Sequence, residues 1–214
     1  MDKAIIIGAG TYGQVYAEYI KDTGYYSLTG FLDDDETKHN TVFSGLPVLG
    51  SLSLLKSLPN KETAVFCPIG NNTIRINILQ QAKSLGFKTP SFIHPNVQIH
   101  HTVTLGNCVY MLPSTSVMPH TTIEDYVMIS MGVNIAHHTK IGKGSFLSQG
   151  VNVGASVNIG EGSFLGIAST IMTGIKGVGK NNLIGAGAVV VKDLPDNVIA
   201  AGVPAKIIRQ NNNG

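Results

Sequence analysis

The chain has 214 residues, of which 43% are hydrophobic and only 13% are charged, and its net charge is +2. This composition excludes a disordered chain, and 25 glycines without a triplet period exclude a collagen. The small net charge gives no reason to expect a nucleic-acid partner. The apolar runs are short and broken by glycine, so neither a membrane span nor a signal peptide is predicted. Two cysteines cannot form a disulfide scaffold and favour a cytoplasmic protein.

The first 92 residues show the alternation of strands and helices that is typical of a parallel sheet. The predicted strands cover 4–7, 28–32 and 64–69, and the predicted helices cover 14–21, 52–57 and 74–85. The helix at 74–85 is amphipathic and is closed by Gly86. Alternating strands and helices place a parallel sheet between helices. We therefore predict an α/β, Rossmann-like domain over residues 1–92.

From residue 97 onward the hydrophobic spacing changes to a period of six. Every sixth residue carries a large aliphatic side chain: Ile99, Leu105, Met111, Val117, Ile123, Ile129, Ile135, Ile141, Leu147, Val153, Ile159, Leu165 and Ile171. The residue two positions before each of these is always Val, Thr or Ser. The period slips by one residue near Lys176-Gly177 and resumes at Val178, Ile184 and Val190.

A period of six predicts a short flat strand followed by a corner, with the aliphatic side chain pointing inward. Three such hexads close one triangular turn, so about 96 residues give roughly five turns of a parallel β-helix. A β-sandwich predicts a period of two instead, with turns every eight to twelve residues. We therefore predict a β-helix domain over residues 93–214.

The hexad resembles the repeat of the hexapeptide acyltransferases, whose parallel β-helix is left-handed and which form trimers. The ending 201–206, Ala-Gly-Val-Pro-Ala-Lys, is similar to their C-terminal signature. The motifs at 8–13, 31–34 and 69–72, with Arg75, narrow the resemblance to the sugar-nucleotide N-acyltransferases of bacterial glycan biosynthesis. These enzymes act on amino sugars of the bacillosamine or perosamine type, and their relatives act on sialic acid. The resemblance implies acetyl-CoA as co-substrate, a nucleotide-linked amino sugar as acceptor and a homotrimer.

The glycine motif Gly8-x-Gly10-x-x-Gly13 follows a predicted strand and opens a predicted helix, as a dinucleotide fingerprint does. Asp33 follows the next predicted strand, at the distance beyond Gly13 where a carboxylate meets a ribose hydroxyl. A complete dinucleotide-binding fold consists of two βαβαβ halves, each of which binds one nucleotide. Only about 92 residues are available here, so a single nucleotide fits this domain better. A tight glycine turn without a ligand is the alternative.

The resemblance also assigns residues to the sugar nucleotide. The loop is lined by Gly10, Thr11 and Tyr12, the nucleoside is held by Asp33 and Asp34, and Gly70 backs it. Related chains often have Gly-His where this chain has Thr-Tyr. The segment Gly70-Asn71-Asn72 follows a strand and precedes a helix, so Asn72 or Thr73 is expected to cap that helix. A capped helix N-terminus is also a phosphate site, so both roles are compatible.

Two adjacent histidines, His137 and His138, are the candidate catalytic residues. Acylation of an amine requires its lone pair, so a base must take a proton, and imidazole is the usual choice. By resemblance His137 is the base. The residue after it is usually Asp or Glu, which orients the imidazole, but here it is His138. Ser130 stands where relatives carry Asn, and two surface histidines without a function are the alternative.

The resemblance places the pantetheine arm of acetyl-CoA along the outer wall between adjacent subunits, near Gly154, Ile167 and Ala186. Phe146 stands where relatives carry a histidine near the thioester. Plain β-helix corners are the alternative for each of these positions. Both cysteines are expected to be buried, so no covalent acyl-enzyme is expected.

The histidines also suggest a metal site, because the γ-carbonic anhydrases, which share the hexapeptide repeat, bind a metal with three histidines between subunits. His101, His120 and His137 follow one another at intervals close to one turn of three hexads. The nucleotide-like first half has no place in that enzyme, so no metal is predicted. The remaining alternatives are O-acetylation, as in the sialic-acid relatives, and a non-catalytic trimer that binds a sugar nucleotide.

Overall fold

The computed structural model describes residues 1–212, which divide into two compact units. The first unit is Met1–Phe92, and the second begins at Ile93. Within residues 1–212, no helix is both long enough and apolar enough to cross a membrane.

The first unit is a five-stranded sheet with two α-helices. Its strands are β1 (Asp2–Ile7), β2 (Tyr26–Leu32), β3 (Val42–Phe43), β4 (Leu46–Gly50) and β5 (Thr63–Phe66), its α-helices are α1 (Thr11–Thr23) and α2 (Asn72–Ser84), and short 3₁₀ helices cover Glu36–Lys38 and Leu52–Lys56. The strand order is β3-β4-β2-β1-β5, with every pair parallel except β3 with β4. β1 pairs on both sides, which explains why its apolar run from Ala4 to Ile7 is wholly buried. The predicted α/β domain is confirmed.

The β3–β4 hairpin is not among the elements predicted from the sequence. Ser44 and Gly45 form its turn, and both have positive φ, 51° and 71°. Two consecutive residues with positive φ are typical of the type I′ turn, whose twist matches that of the flanking strands. The Ser-Gly pair between Phe43 and Leu46 was the available signal.

The second unit is a β-helix built mostly from two-residue strands. They are β6 (Phe92–Ile93), β7 (Gln98–Ile99), β8 (Thr104–Leu105), β9 (Tyr110–Met111), β10 (Ser116–Val117), β11 (Thr122–Ile123), β12 (Met128–Ile129), β13 (Asn134–Ile135), β14 (Lys140–Ile141), β15 (Phe146–Leu147), β16 (Asn152–Val153), β17 (Asn158–Ile159), β18 (Phe164–Leu165), β19 (Thr170–Ile171), β20 (Gly177–Val178), β21 (Leu183–Ile184), β22 (Val189–Val190), β23 (Val198–Ala201) and β24 (Lys206–Gln210). They form three parallel sheets: a six-stranded sheet of β7, β10, β13, β16, β19 and β22, a five-stranded sheet of β8, β11, β14, β17 and β20, and an eight-stranded sheet of β6, β9, β12, β15, β18, β21, β23 and β24. In the eight-stranded sheet, β24 adds antiparallel to β23. The β-helix that the hexads predict is confirmed.

The pairing register shows that three hexads make one turn. Asn134 pairs with Asn152 and Ile135 with Val153, so each residue lies beside the one three hexads further along the chain. The predicted inward position of a hexad is buried, as Ile135 illustrates, and the residue two positions before it, here Val133, is buried beside it. The core is therefore a stack of aliphatic side chains along the axis, flanked by buried Val, Thr and Ser.

The predicted slip in the period lies at Gly177. Asn158 pairs with Gly177, which is one residue more than three hexads further on, and Phe164 with Leu183 keeps the same offset. Gly177 has a φ of 152°, and a Cβ there would clash with the carbonyl oxygen of Asn158. Only glycine allows the extra residue to be absorbed without pushing the two turns apart.

Candidate active site

The glycine motif forms a tight turn at the carboxyl end of β1. Gly8 has a φ of 94°, and Gly10 is the N-cap of α1. Gly13 is buried in the first turn of α1, where a Cβ would clash with the carbonyl oxygen of Gly8. The third glycine of the motif therefore permits close packing of helix against strand, which is its role in nucleotide-binding folds.

Asp33 fixes this turn with its carboxylate, because Oδ2 accepts a hydrogen bond from the backbone N–H of Ala9 at 2.8 Å. The same oxygen accepts from Nζ of Lys38 at 3.1 Å, and Oδ1 accepts from the N–H of Asp35 at 2.9 Å. The side chain is 12% exposed. Burial acts to raise the pKa of this carboxyl, but the hydrogen bonds from Asp35, Ala9 and Lys38 together lower it. The loops after β1 and β2 are thus joined through one ionised carboxylate.

The other nucleotide candidates lie around the same turn. Asp34 is exposed, and its Oδ1 accepts a hydrogen bond from the N–H of Leu52 at 2.9 Å. Gly10 and Thr11 are exposed, whereas Tyr12 is half-buried. The structure therefore brings the glycine turn and Asp33 together, as expected. The carboxylates of Asp33 and Asp34 both accept hydrogen bonds from backbone N–H groups of this chain. The ion pair of Asp33 with Lys38 was not predicted from the sequence.

The loop after β5 lies beside the glycine turn, since a Cβ on Gly8 would lie 3.2 Å from the Ile69 side chain. The predicted cap of α2 is wrong: the N-cap is Asn71, whose side chain accepts from the N–H of Ile74 at 3.0 Å. The helix begins at Asn72, ahead of the predicted start at Ile74, so the cap moves with it.

The side chain of Arg75 stabilises the loop after β5 through two hydrogen bonds. Its side chain is fully buried, with Nη1 donating to the carbonyl oxygen of Ile69 at 2.8 Å and Nη2 to Oδ1 of Asn72 at 2.9 Å. Asn72 thus supports Arg75 instead of capping the helix. Gly70 lies between the two contacts, half-buried at the carboxyl edge of the sheet. The sequence analysis named Arg75 with the motif at 69–72, but its position after that motif did not predict which groups it would contact.

The two candidate catalytic histidines lie within the β-helix, at the edge between its six-stranded sheet and its five-stranded sheet. We call this edge the histidine corner and define it as residues 100–102, 118–120 and 136–138, which stack in successive turns. The Nδ1 atoms of His137 and His138 are 3.0 Å apart, and this contact lies at the surface. The carbonyl oxygen of His137 accepts from the N–H of Ser156 at 3.0 Å, in the turn above. The corner therefore presents two hydrogen-bonded imidazoles to solvent.

A groove with a volume of about 440 Å³ runs along the outer face of the six-stranded sheet next to this corner. Its floor carries a polar ladder in which Nδ2 of Asn134 donates to Oδ1 of Asn152 at 3.0 Å. Exposed methionines, Met118 and Met172, lie along one side. Ala136, the neighbour of His137, is part of the lining, so the groove reaches the histidine corner. The spacing of the two asparagines by three hexads was the available signal for this ladder.

The candidate acetyl-CoA residues fall into three places. Gly154 lines the groove, one turn above Ala136. Ile167 and Ala186 occupy equivalent positions in successive turns at the opposite edge of the same sheet, and both are exposed. Phe146 lies elsewhere, on β15 of the eight-stranded sheet, where it is only 7% exposed and packs edge to face on Phe164 at 5.2 Å. The structure does not bring Phe146 together with Gly154.

In the part of the chain that the structure describes, no three His, Cys, Asp or Glu side chains are grouped so that they could hold a metal ion. In register, His120 lies below His138, with ring centroids 4.9 Å apart, whereas His101 and His137 share another position of the corner. The three histidines considered from spacing therefore do not form one column. Burial raises the pKa of the Cys67 thiol to about 12, which keeps it protonated and unsuited to nucleophilic attack.

Comparison with known proteins matches both halves of the chain. Residues 3–82 match the family model of the PglD N-terminal domain. The acetyltransferase domain of PglB from Neisseria gonorrhoeae FA1090 is 32% identical, with a TM-score of 0.90 over 97% of this chain and 100% of that chain. A histidine-to-alanine variant of GDP-perosamine N-acetyltransferase from Caulobacter crescentus, in complex with CoA and GDP-perosamine, is 30% identical, with a TM-score of 0.90 over 98% of both chains.

Among curated proteins, the galactoside O-acetyltransferase of Escherichia coli K12 is 57% identical over 35 residues. This match covers 16% of this chain and 17% of the relative. The chain therefore aligns with less than a fifth of that relative's length, a short stretch that carries no information on the substrate.

Proposed function

Because the chain belongs to the hexapeptide-repeat sugar N-acetyltransferase family, we propose that it transfers the acetyl group of acetyl-CoA to the amine of a nucleotide-linked amino sugar. The acceptor proposed is a UDP-, dTDP- or GDP-linked 4-amino-4,6-dideoxyhexose. The observation that carries the proposal is the hydrogen-bonded imidazole of His137, at the surface beside a groove of about 440 Å³.

In the proposed reaction, the sugar amine attacks the carbonyl carbon of the thioester directly. The nitrogen–carbon bond forms, the carbon–sulfur bond breaks, and CoA leaves as a thiolate. His137 takes the amine proton on Nε2, since its Nδ1 faces His138. Backbone N–H groups stabilise the negative charge that develops on the carbonyl oxygen. No covalent acyl-enzyme is involved.

The groove has the chemistry that a pantetheine arm requires. The amide groups of pantetheine need hydrogen-bonding partners, which the ladder of Asn134 and Asn152 supplies. The alkyl segments of pantetheine need apolar contact, which Met118 and Met172 supply. Gly154 lies where a bulky side chain would narrow the groove, because even a Cβ there would meet Thr173. We place the acyl donor along this face, with the thioester beside His137.

We place the nucleotide at the glycine turn. The N-cap of α1 is Gly10, which has no side chain to occupy the N–H groups of the first helical turn, and such groups bind phosphate oxygens. Thr11 and Tyr12 follow at the surface of that turn. Asp33 shapes the turn through Ala9, and Asp34 lies next to it on the nucleoside side. The half-buried Gly70 backs the same site from the neighbouring loop.

The direct test combines purified protein, acetyl-CoA and candidate amino sugars, with thiol release measured by a colorimetric reagent. We expect release with a nucleotide-linked 4-amino sugar and none with its N-acetylated product. Release only with a hydroxyl acceptor would establish O-acetylation. Binding of the sugar nucleotide without any release would establish a non-catalytic binding protein. The variant His137→Ala is the control for uncatalysed thioester hydrolysis.

We further propose a homotrimer in which each site draws on two chains. In one chain, the histidine corner and the column of Ile167 and Ala186 lie at opposite edges of the six-stranded sheet. They can face each other closely if neighbouring chains pack heterologously around a threefold axis. His137 would then come from one chain and the wall near Ala186 from the next.

Hybrid assemblies test this arrangement. His137→Ala lacks the base, and Ala186→Trp blocks the wall, so each variant alone is expected to be inactive. After the two are unfolded and refolded together in equal amounts, a site is intact when both of its chains contribute the unaltered residue. Random assembly gives about a quarter of wild-type activity by this symmetry argument. An inactive mixture that contains hybrids, shown by native mass spectrometry, would place both residues in one chain.

A further inference from the structure

A third imidazole, that of His120, packs against His138 in the turn below. The two ring centroids are 4.9 Å apart and the planes are tilted by 39°. Both residues have left-handed backbone conformations, with φ of 58° and 55°. The N–H of His120 donates to Oγ1 of Thr102 at 2.9 Å, and that of His138 to the carbonyl oxygen of Pro119 at 3.1 Å. The stack is thus supported by a fixed backbone at each turn.

The contact between His137 and His138 restricts which nitrogen carries hydrogen. Their Nδ1 atoms are 3.0 Å apart, so one must donate and the other accept. A general base must offer the lone pair of its other nitrogen, Nε2, to the amine. A neutral His137 with a free Nε2 carries its hydrogen on Nδ1 and donates it to His138. His138 must then accept on Nδ1 and carry its own hydrogen on Nε2.

To accept this hydrogen bond, the ring of His138 must be oriented so that its Nδ1 faces His137. A carboxylate would meet the requirement in several orientations, since each oxygen accepts hydrogen bonds over a broad range, but imidazole has only one suitable nitrogen. The turn above offers Ala155 and Ser156 at this corner, neither of which has a planar side chain. The ring that packs on His138 from the turn below is His120.

We propose that His120 is a positioning residue for the base His137 and acts through His138. Stacking of His120 holds the ring of His138 in the orientation that accepts the Nδ1 hydrogen of His137, which keeps Nε2 of His137 free. When Nε2 takes the amine proton, the same hydrogen bond stabilises the imidazolium that forms. This inference rests on the proposed function of His137.

The test compares His120→Ala with His120→Phe, which keeps a flat ring but cannot hydrogen-bond. For His120→Ala we expect kcat to fall about tenfold, the size of effect that loss of a supporting partner has, with both KM values within about twofold of wild type. For His120→Phe we expect most of kcat to return. His101→Ala is the matched control, because it removes an exposed histidine two turns below His137, and its kcat should equal that of wild type.

A second measurement does not depend on turnover. Diethyl pyrocarbonate reacts with unprotonated imidazole nitrogen, and peptide mass mapping gives its rate at His137. We expect diethyl pyrocarbonate to react more slowly with His137 in His120→Ala, because Nε2 of His137 is then less often free. In His120→Phe we expect the wild-type rate at His137. If the wild type transferred no acetyl group but kept this pattern, the proposed function would fail while the positioning role stood.

The inference is overturned by an unchanged kcat in His120→Ala, or by equal rates at His137 in all three proteins. Equal losses of kcat in the Ala and Phe variants also overturn it, because stacking would not then be the property that matters. Thermal melting of each variant checks that the fold is intact.

Discussion

Replacing Asp33 by alanine tests the link between the glycine turn and the sugar nucleotide. The change removes the acceptor of the Ala9 N–H, the Asp35 N–H and the Lys38 ammonium, which lie at 2.8, 2.9 and 3.1 Å. Ala9 is 1% exposed, so its N–H loses its partner in a buried place. A buried donor without a partner costs about 1–3 kcal/mol. We expect a destabilisation of about that size, measured by urea denaturation at neutral pH.

The kinetic consequence should be confined to one substrate. A loosened turn moves Gly10 and the first amides of α1, so KM for the sugar nucleotide should rise while KM for acetyl-CoA stays nearly unchanged. Initial rates of thiol release at varied concentrations of each substrate measure both values. Equal changes in the two KM values would refute the assignment of the nucleotide to this half of the chain.

The stability effect should also depend on pH with a definite sign. The pKa of the Asp33 carboxyl is lowered in the folded chain, so its contribution is present above the pKa of the unfolded chain and is lost as pH falls through the folded value. The gap in stability between wild type and Asp33→Ala should therefore narrow on acidification. The control Asp35→Ala removes a charge from the same loop without touching Ala9, and it should leave KM for the sugar nucleotide close to wild type.

The remaining predictions concern the base and the glycine turn. His137→Ala should lower kcat by about 10²–10⁴, the usual contribution of a general base, with little change in melting temperature; a loss below about threefold would move the base elsewhere. His138→Glu should keep or raise activity, because a carboxylate also accepts from Nδ1 of His137; loss of activity in both His138→Glu and His138→Ala would give His138 a direct role. Gly13→Ala should abolish binding of the sugar nucleotide, measured by calorimetry, because its Cβ clashes with the Gly8 carbonyl oxygen; wild-type affinity would contradict the packing.

The β-helix could be predicted from sequence because its register repeats. Each hexad buries two side chains at fixed positions, as Val133 and Ile135 do, so one local pattern recurs along the whole domain. Even the slip at Gly177 was predictable, because the aliphatic positions resume one residue late. In the first unit, β1 and β5 were found for a similar reason, because both carry continuous buried runs and are therefore strongly apolar.

The parts that the sequence did not reveal depend on hydrogen-bond partners distant along the chain. The position of Asp33 at the end of β2 was predictable, but its engagement with Ala9 and Lys38 depends on where two loops meet. The cap of α2 was misplaced because Asn71 and Asn72 are equally good caps, and only the buried Arg75, which binds Asn72, decides between them. Residue type alone does not show which amide faces which partner.

The position of the slip decides which side chains can act together. Before Gly177 the offset between turns is three hexads, so His138 lies over His120 and the stack that we propose for the base is in register. Across the slip the offset is one residue longer, which places Ala186 in register with Ile167. With a constant offset of three hexads, Gly185 would occupy that position, and the wall proposed for acetyl-CoA would lose a side chain. The single extra residue at Gly177 therefore changes the acyl-donor wall and leaves the histidine corner unchanged.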